Sequence, residues 1–257
     1  SLAGIGDSIS VRITNYLGYS NQDTITINYL DISGPNIWYI NDTYPVAGDS
    51  WCTVIGSDLN NGLSRLKPKR TLNSIDNLLS TGDTVFIDTG IYWEPDTFSV
   101  SADSITIIGV DSAVTILDYL DSSSSGKRIG FWMQNRNNVS IQNLQVKNAY
   151  YNIWLYNTDS SEIKNLTIQF GGSGYSGIYL TNGSDSNLIF GNQIFKNNGG
   201  VYFSNSSYNW FIYNTSTSIT LNTSYNNKVF NNNISFGNGI ALSDANYNIL
   251  SNNYCAS

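Results

Sequence analysis

This chain of 257 residues contains no histidine, and only 12% of it is charged, about half of the ~25% usual in soluble domains. Without histidine it lacks the side chain most often used as a general acid or base near neutral pH. With so few charges, its surface must be rich in hydroxyls and amides. The formal net charge of −7 argues against a nucleic-acid partner, because phosphate binding draws on Lys and Arg. No run of ~18 apolar residues occurs, so membrane insertion is not expected. Cysteine is scarce too, at Cys52 and Cys255 alone. Ser1 opens directly in polar sequence, so any export signal is expected to have been removed already.

What is abundant is a repeat. From residue 131 onward short alternating strands recur as Phe131-Trp132-Met133, Ile153-Trp154-Leu155, Ile178-Tyr179-Leu180, Val201-Tyr202-Phe203, Ile219-Thr220-Leu221 and Ile240-Ala241-Leu242. Their spacings are 22, 25, 23, 18 and 21 residues. Turn asparagines keep the same beat at Asn143, Asn165, Asn192, Asn214, Asn232 and Asn252. A period of about 22 residues with two or three short strands per repeat is the pattern of a β-solenoid, each repeat forming one coil. Asparagines turned inward in such a column can hydrogen-bond to backbone and to the asparagine of the next coil, forming a ladder.

The chain divides into three expected parts. Residues 1–33 read as a β-hairpin, with strands over Ile9–Ile13 and Ile25–Tyr29 around a turn-forming stretch. This hairpin resembles part of an immunoglobulin-like domain, although no partner strands complete a sandwich. Residues 34–82 form a lead-in segment that begins at Gly34-Pro35. It holds Trp38, Tyr39 and Trp51 and ends in a short helix whose apolar positions 72, 75, 78 and 79 share one face, with Gly82 as its stop. Residues 83–257 are the coils, opened by the strand–corner–strand unit Gly82-Asp83-Thr84-Val85-Phe86-Ile87-Asp88-Thr89-Gly90-Ile91-Tyr92-Trp93.

The block 56–94 resembles the opening of pectin-lyase-like right-handed parallel β-helices of exported surface and carbohydrate-active proteins, and the likeness extends over roughly residues 39–255. It implies an all-β fold, a right-handed parallel β-helix with a short N-terminal capping helix. It is weak for activity, because one frame carries lyases, hydrolases, adhesins and structural stalks. Hydrolases of this kind bring clustered carboxylates and usually a histidine, and lyases bring calcium-binding carboxylates with an Arg or Lys base. Neither kit is complete here. The best cluster is Arg136, one coil below Asp159 and near Glu162, the minimum for proton abstraction, but it reads as an exposed inter-coil ion pair rather than a catalytic site. Asp58-Leu59-Asn60-Asn61-Gly62 looks like part of a calcium loop, but no acid closes it, and an Asx-turn explains it as well. No catalytic residue, metal ligand or cofactor is therefore expected.

Strand alternation carries one more expectation. If the flanking residues point inward, Trp132, Trp154, Tyr179 and Tyr202 form an external aromatic stripe that fades to Thr220 and Ala241. Such a stripe binds sugar rings, or is covered by the hairpin, the 34–60 segment or another subunit. Eight sequons, at Asn41, Asn138, Asn165, Asn182, Asn205, Asn214, Asn222 and Asn233, are candidate glycosylation sites in an exported chain. About seven coils at ~4.8 Å separate Cys52 from Cys255 by on the order of 30 Å, well beyond the ~7 Å limit for a disulfide. Either both thiols are free, or the chain is a fragment whose natural partners are absent, or Cys255 of one subunit meets Cys52 of the next.

The reading that follows is a non-enzymatic extracellular or cell-surface solenoid that associates end to end into a filament or stalk. The alternatives are a lyase-like or glycan-binding module and a fragment of a larger adhesin.

Overall fold

A computed structural model describes residues 8–14, 20–26, 34–44, 48–120, 127–169, 171, 176–195 and 199–256. The chain forms two compact units, Ser1–Gly34 and Pro35–Ser257. In the first, strands Ser8–Thr14 and Ser20–Thr26 pair antiparallel, with Thr14 opposite Ser20 and Ile9 opposite Ile25. The second strand therefore starts five residues earlier than its apolar pattern suggests, because the pairing continues to Ser20 opposite Thr14. The expected strand residues 27–29 lie outside the described set. A two-stranded sheet alone does not define an immunoglobulin-like domain.

The second unit is a parallel β-solenoid of about seven turns. Each coil contributes a strand to a nine-stranded parallel sheet and strands to a thirteen-stranded sheet made of two stacks. The stacks join through the long strand Thr215–Asn222, whose first part, Thr215–Ser216, pairs with Gln193–Ile194 and whose last part, Ile219–Asn222, pairs with Val201–Ser204. Strict in-register pairing puts like residues over like. On the nine-stranded sheet Ile107, Ile141, Ile163, Ile189, Phe211 and Val229 form one inward column, and each is fully buried. Period-2 alternation makes this unavoidable: a one-residue slip would turn the whole column to water.

The coils turn at residues in the left-handed conformation. One corner column runs Asn143, Asn165, Gly191, Tyr213, Asn231 and Asn252, all at φ between 54° and 66°. Asn and Gly tolerate this conformation best. The residue immediately after each corner points inward, and there the amide ladder forms. Asn192, Asn214, Asn232 and Asn253 are linked side chain to side chain at 2.9–3.2 Å. The asparagine column expected from sequence thus mixes two adjacent columns. Asn143, Asn165 and Asn252 are corner residues, while Asn192, Asn214 and Asn232 are ladder residues. A second buried ladder, Asn187, Asn209, Asn227 and Asn248, was not anticipated.

The capping segment is a 3₁₀ helix, Leu72–Leu78. Leu72, Ile75 and Leu79 join the buried cluster of the coils, whereas Leu78 is 49% exposed. The chain leaves the helix at Leu79 in an extended conformation, so Leu79 rather than Leu78 returns to the core. Thr71 makes no side-chain cap. Instead the buried Glu94 carboxylate accepts from Leu72 N at 2.8 Å and Asn73 N at 3.1 Å.

Candidate functional site

Trp132, Trp154, Tyr179 and Tyr202 sit opposite one another on four consecutive parallel strands. Their neighbours Phe131, Met133, Ile153, Leu155, Ile178 and Leu180 are fully buried, which leaves the aromatic rings outward and half-buried. Trp132 stacks on Trp154 at 5.9 Å between centroids with 15° between planes, and Trp154 on Tyr179 at 5.6 Å and 29°. Tyr202 turns its edge to Tyr179 at 5.5 Å and 73°. The spacing exceeds the ~4.8 Å rise between coils because the rings are offset, as their quadrupoles favour.

Two further tyrosines join this face. Tyr156 lies edge-on to Trp154 at 6.5 Å, and Tyr151 stacks on Tyr179 at 5.1 Å and 19°. Tyr156 was legible, being two residues beyond Trp154 on one strand. Tyr151 was not, since simple alternation assigns it to the interior. Beside the rings runs a polar column, Gln134, Tyr156, Thr181, Ser204, Asn222 and Ser243. Thr181 Oγ1 accepts from Trp154 Nε1 at 3.0 Å, while Trp132 Nε1 has no partner among the described residues. Trp51 of the 34–60 segment packs on Phe86 at 4.8 Å, so it covers part of the nine-stranded sheet instead of the stripe.

The other expected sites disperse. Asn137 bridges to Asp159 across one coil, but the Arg136 guanidinium donates to Val100 O at 3.0 Å. Asp159 accepts from Asp185 N at 2.8 Å, and Glu162 pairs with Lys164 at 2.8 Å. Coil spacing set the Arg136 and Asp159 backbones side by side but paired Glu162 with Ser140; each side chain found a different partner, and the three form no acid–base cluster. The Asp58 carboxylate accepts from Arg70 N and Thr71 N, both at 3.0 Å, and from the Arg70 guanidinium at 3.1 Å. Asn60 donates to Pro68 O and Asn61 accepts from Leu63 N. Loop geometry thus occupies the polar groups of the calcium-loop-like stretch.

Two glycosylation candidates fall inside. Asn41 is fully buried and gives its amide to Asp49 and Val54 O, and Asn214 is a ladder rung. Asn138, Asn165, Asn182, Asn205 and Asn233 are exposed, and Asn222 is half-exposed. Neither cysteine is in a disulfide. Cys52 is 5% exposed, and burial, reinforced by Asp88, pushes its thiol up to about 12. In the fold of the single chain the Cys52 thiol is thus closed off from solvent. Cys255 lies in register with the inward Ile234 on the last coil and is exposed.

Stacked parallel coils with an inward apolar column and outward aromatics define a parallel β-helix protein. Residues 76–257 match the NosD family, described as "Periplasmic copper-binding protein (NosD)", and the chain belongs to that family. The family is periplasmic, a binding protein and not a known enzyme. Among solved structures, the catalytic domain of a GH87 alpha-1,3-glucanase in complex with nigerose is similar at 14% identity and TM-score 0.47, over 68% of this chain and 34% of that one. ORF18 of Geobacillus virus E2 is similar at 15% identity and TM-score 0.39, over 71% and 57%. A rhamnogalacturonan lyase is similar at 13% identity and TM-score 0.41, over 78% and 72%. The chain thus spans about a third of the glucanase chain's length. No curated protein matches the sequence significantly.

The family description raises copper, whose protein sites draw on imidazole, thiolate and thioether donors. This sequence has no His, one Met and two Cys. Met133 is fully buried in the solenoid, and Cys52 holds its thiol proton. Among the described residues no group of three or more His, Cys, Asp or Glu could hold a metal ion. The donor set does not fit copper.

Proposed function

We propose that this chain is an exported, non-enzymatic β-solenoid that holds an extended neutral glycan along the Trp132–Trp154–Tyr179–Tyr202 face. Its coils are taken as right-handed, the hand that parallel crossovers nearly always adopt. The observation that carries the reading is the continuous stack of outward rings beside a column of hydroxyl and amide side chains. Aromatic faces take the C–H faces of sugars, and the flanking column supplies donors and acceptors for their hydroxyls. The ~4.8 Å rise per coil is close to the length of one sugar residue in an extended polysaccharide. The family's periplasmic description supports export.

The test is retardation of the protein in gels containing neutral polysaccharides. Trp154→Ala and Tyr179→Ala are expected to weaken binding at least about tenfold, ~1.4 kcal/mol, with no reducing ends released by the native chain. Unretarded migration in every neutral polysaccharide, or retardation that both variants keep, would sink it.

A second reading is stacking beyond the last coil. Leu242 and Leu250 there are 50% and 37% exposed, and among the described residues strand Ile249–Ser251 pairs only with Lys228–Phe230. A further coil, supplied by more of this chain or by a second copy, would cover them. Sedimentation that stays monomeric at high concentration removes the second-copy version.

A further inference from the structure

We infer that a cavity beside the first coil is a separate ligand site, shaped for a single neutral pyranose residue. The cavity has a volume of about 350 Å³ and is lined by Asp42, Tyr44, Arg70, Thr71, Ile91 and Trp93, among others. It lies on a different stack from the aromatic face. Ile91 and Trp93 belong to strand Gly90–Trp93, which pairs with Thr115–Asp118, whereas the stripe begins where Phe98–Ser99 pairs with Phe131–Trp132.

Its polar groups are charged but not spent on each other. Asp42 is 8% exposed; its Oδ1 accepts from Tyr44 N at 2.9 Å, and among the described residues its Oδ2 receives only a long 3.4 Å contact from Ile91 N. A carboxylate offers about four acceptor positions, so acceptor capacity is left for a ligand. The seat is built for that carboxylate. Gly90 has φ +154°, and a Cβ there would lie 2.4 Å from Asp42 Oδ2. Arg70 gives one guanidinium nitrogen to Asp58 at 3.1 Å, with its side chain 55% exposed. A guanidinium carries five donors. Asp42 and Arg70 make no ion pair with one another, so acceptor and donor both remain for one ligand.

The remaining walls are aromatic and apolar. Trp93 is 56%, Tyr44 54% and Ile91 44% exposed. An aromatic face, a carboxylate acceptor and a guanidinium donor around a cavity of this size suit a ring with an apolar C–H face and neighbouring hydroxyls. The buried carboxylate disfavours an anionic sugar by like-charge repulsion. The site is independent of the stripe reading.

The experiment is isothermal titration of the native protein with methyl glucopyranoside, methyl galactopyranoside, methyl mannopyranoside and glucuronate. At least one methyl glycoside is expected to bind with Kd on the order of 1 mM. Trp93→Ala and Tyr44→Ala, both exposed and checked by melting temperature, are expected to weaken that binding at least about tenfold, while Trp154→Ala leaves it unchanged. Absence of binding by all three glycosides, equal binding in Trp93→Ala and Tyr44→Ala, or tighter binding of glucuronate each overturns the proposal. Loss in Trp154→Ala with retention in Trp93→Ala also overturns it, and assigns the sugar to the stripe.

Discussion

The lead-in segment and the late coils solve one problem with different chemistry. Both must satisfy buried backbone N–H groups. Around the first coil buried carboxylates do it. Asp88 accepts from Ser50, Trp51, Cys52 and Thr89 N at 2.6–2.8 Å, and Asp83 accepts from Asn36 N, Trp38 Nε1 and Ser80 N. In the late coils asparagines do it: Asn214 Oδ1 accepts from Asn192 N at 2.9 Å, while its amide donates to Ile189 O at 2.9 Å. The reason is geometric. Irregular loops converge several donors on one point, which suits an acceptor-only carboxylate. A ladder repeats at ~4.8 Å, where stacked carboxylates would repel and an amide, donor and acceptor at once, pairs with its own copy.

Swapping the two devices should break the comparison most sharply. Asn214→Asp is expected to cost ~3–5 kcal/mol at pH 7, because it buries an unpaired charge facing Ile189 O and Asn232. The melting temperature falls by roughly 10 °C, and less at low pH, where the new carboxyl protonates. Asp88→Asn is expected to cost ~2–3 kcal/mol, since the amide NH₂ confronts backbone donors; urea unfolding measures it. Equal stability of both variants with the native protein would mean that the choice of acceptor is incidental.

A third prediction places pH sensitivity at the carboxylate end. Burial outweighs the donation from Leu72 and Asn73 and raises the Glu94 carboxyl from 4.5 to about 7. The fold binds that proton more tightly than the unfolded chain does. This contribution is therefore fully present below pH 4.5 and is lost as pH rises through 7. Glu94→Gln should flatten that decline in a pH series of melting curves. Asp76, raised to about 6 by burial, should leave a smaller slope of the same sign. An unchanged profile in Glu94→Gln would assign the sensitivity elsewhere.

The smallest effect separates the two asparagine columns. Asn165→Ala at the φ 55° corner should cost ~1 kcal/mol, and Asn165→Gly close to nothing. At the ladder position Asn214 glycine should not rescue, because there the side chain itself makes the bonds.

Much of the frame is legible in the sequence alone. Phe131, Ile153, Ile178, Val201, Ile219 and Ile240 stand in one column, because a strand's two-residue period leaves one way to bury them. The corners were readable only to within one residue. Asn231-Asn232 and Asn252-Asn253 place a corner and a rung side by side, and only the hydrogen bonds from the neighbouring coil distinguish them. For Arg136, Asp159 and Glu162, repeat spacing predicted which coils are neighbours, but a long side chain reaches any of several acceptors.

The sequence by itself determined that apolar and aromatic residues recur at coil spacing, and hence a solenoid with an aromatic outer stripe, since alternation and period are local properties. Only the tertiary structure decided which polar groups are buried and what they face. It turned Asn41, Asn214 and Cys52 inward. It also gathered Asp42, Tyr44, Arg70 and Trp93, from three separate segments, around one cavity. A side chain's partner comes from whichever residue the fold brings within about 3 Å, and no spacing along the chain encodes that choice.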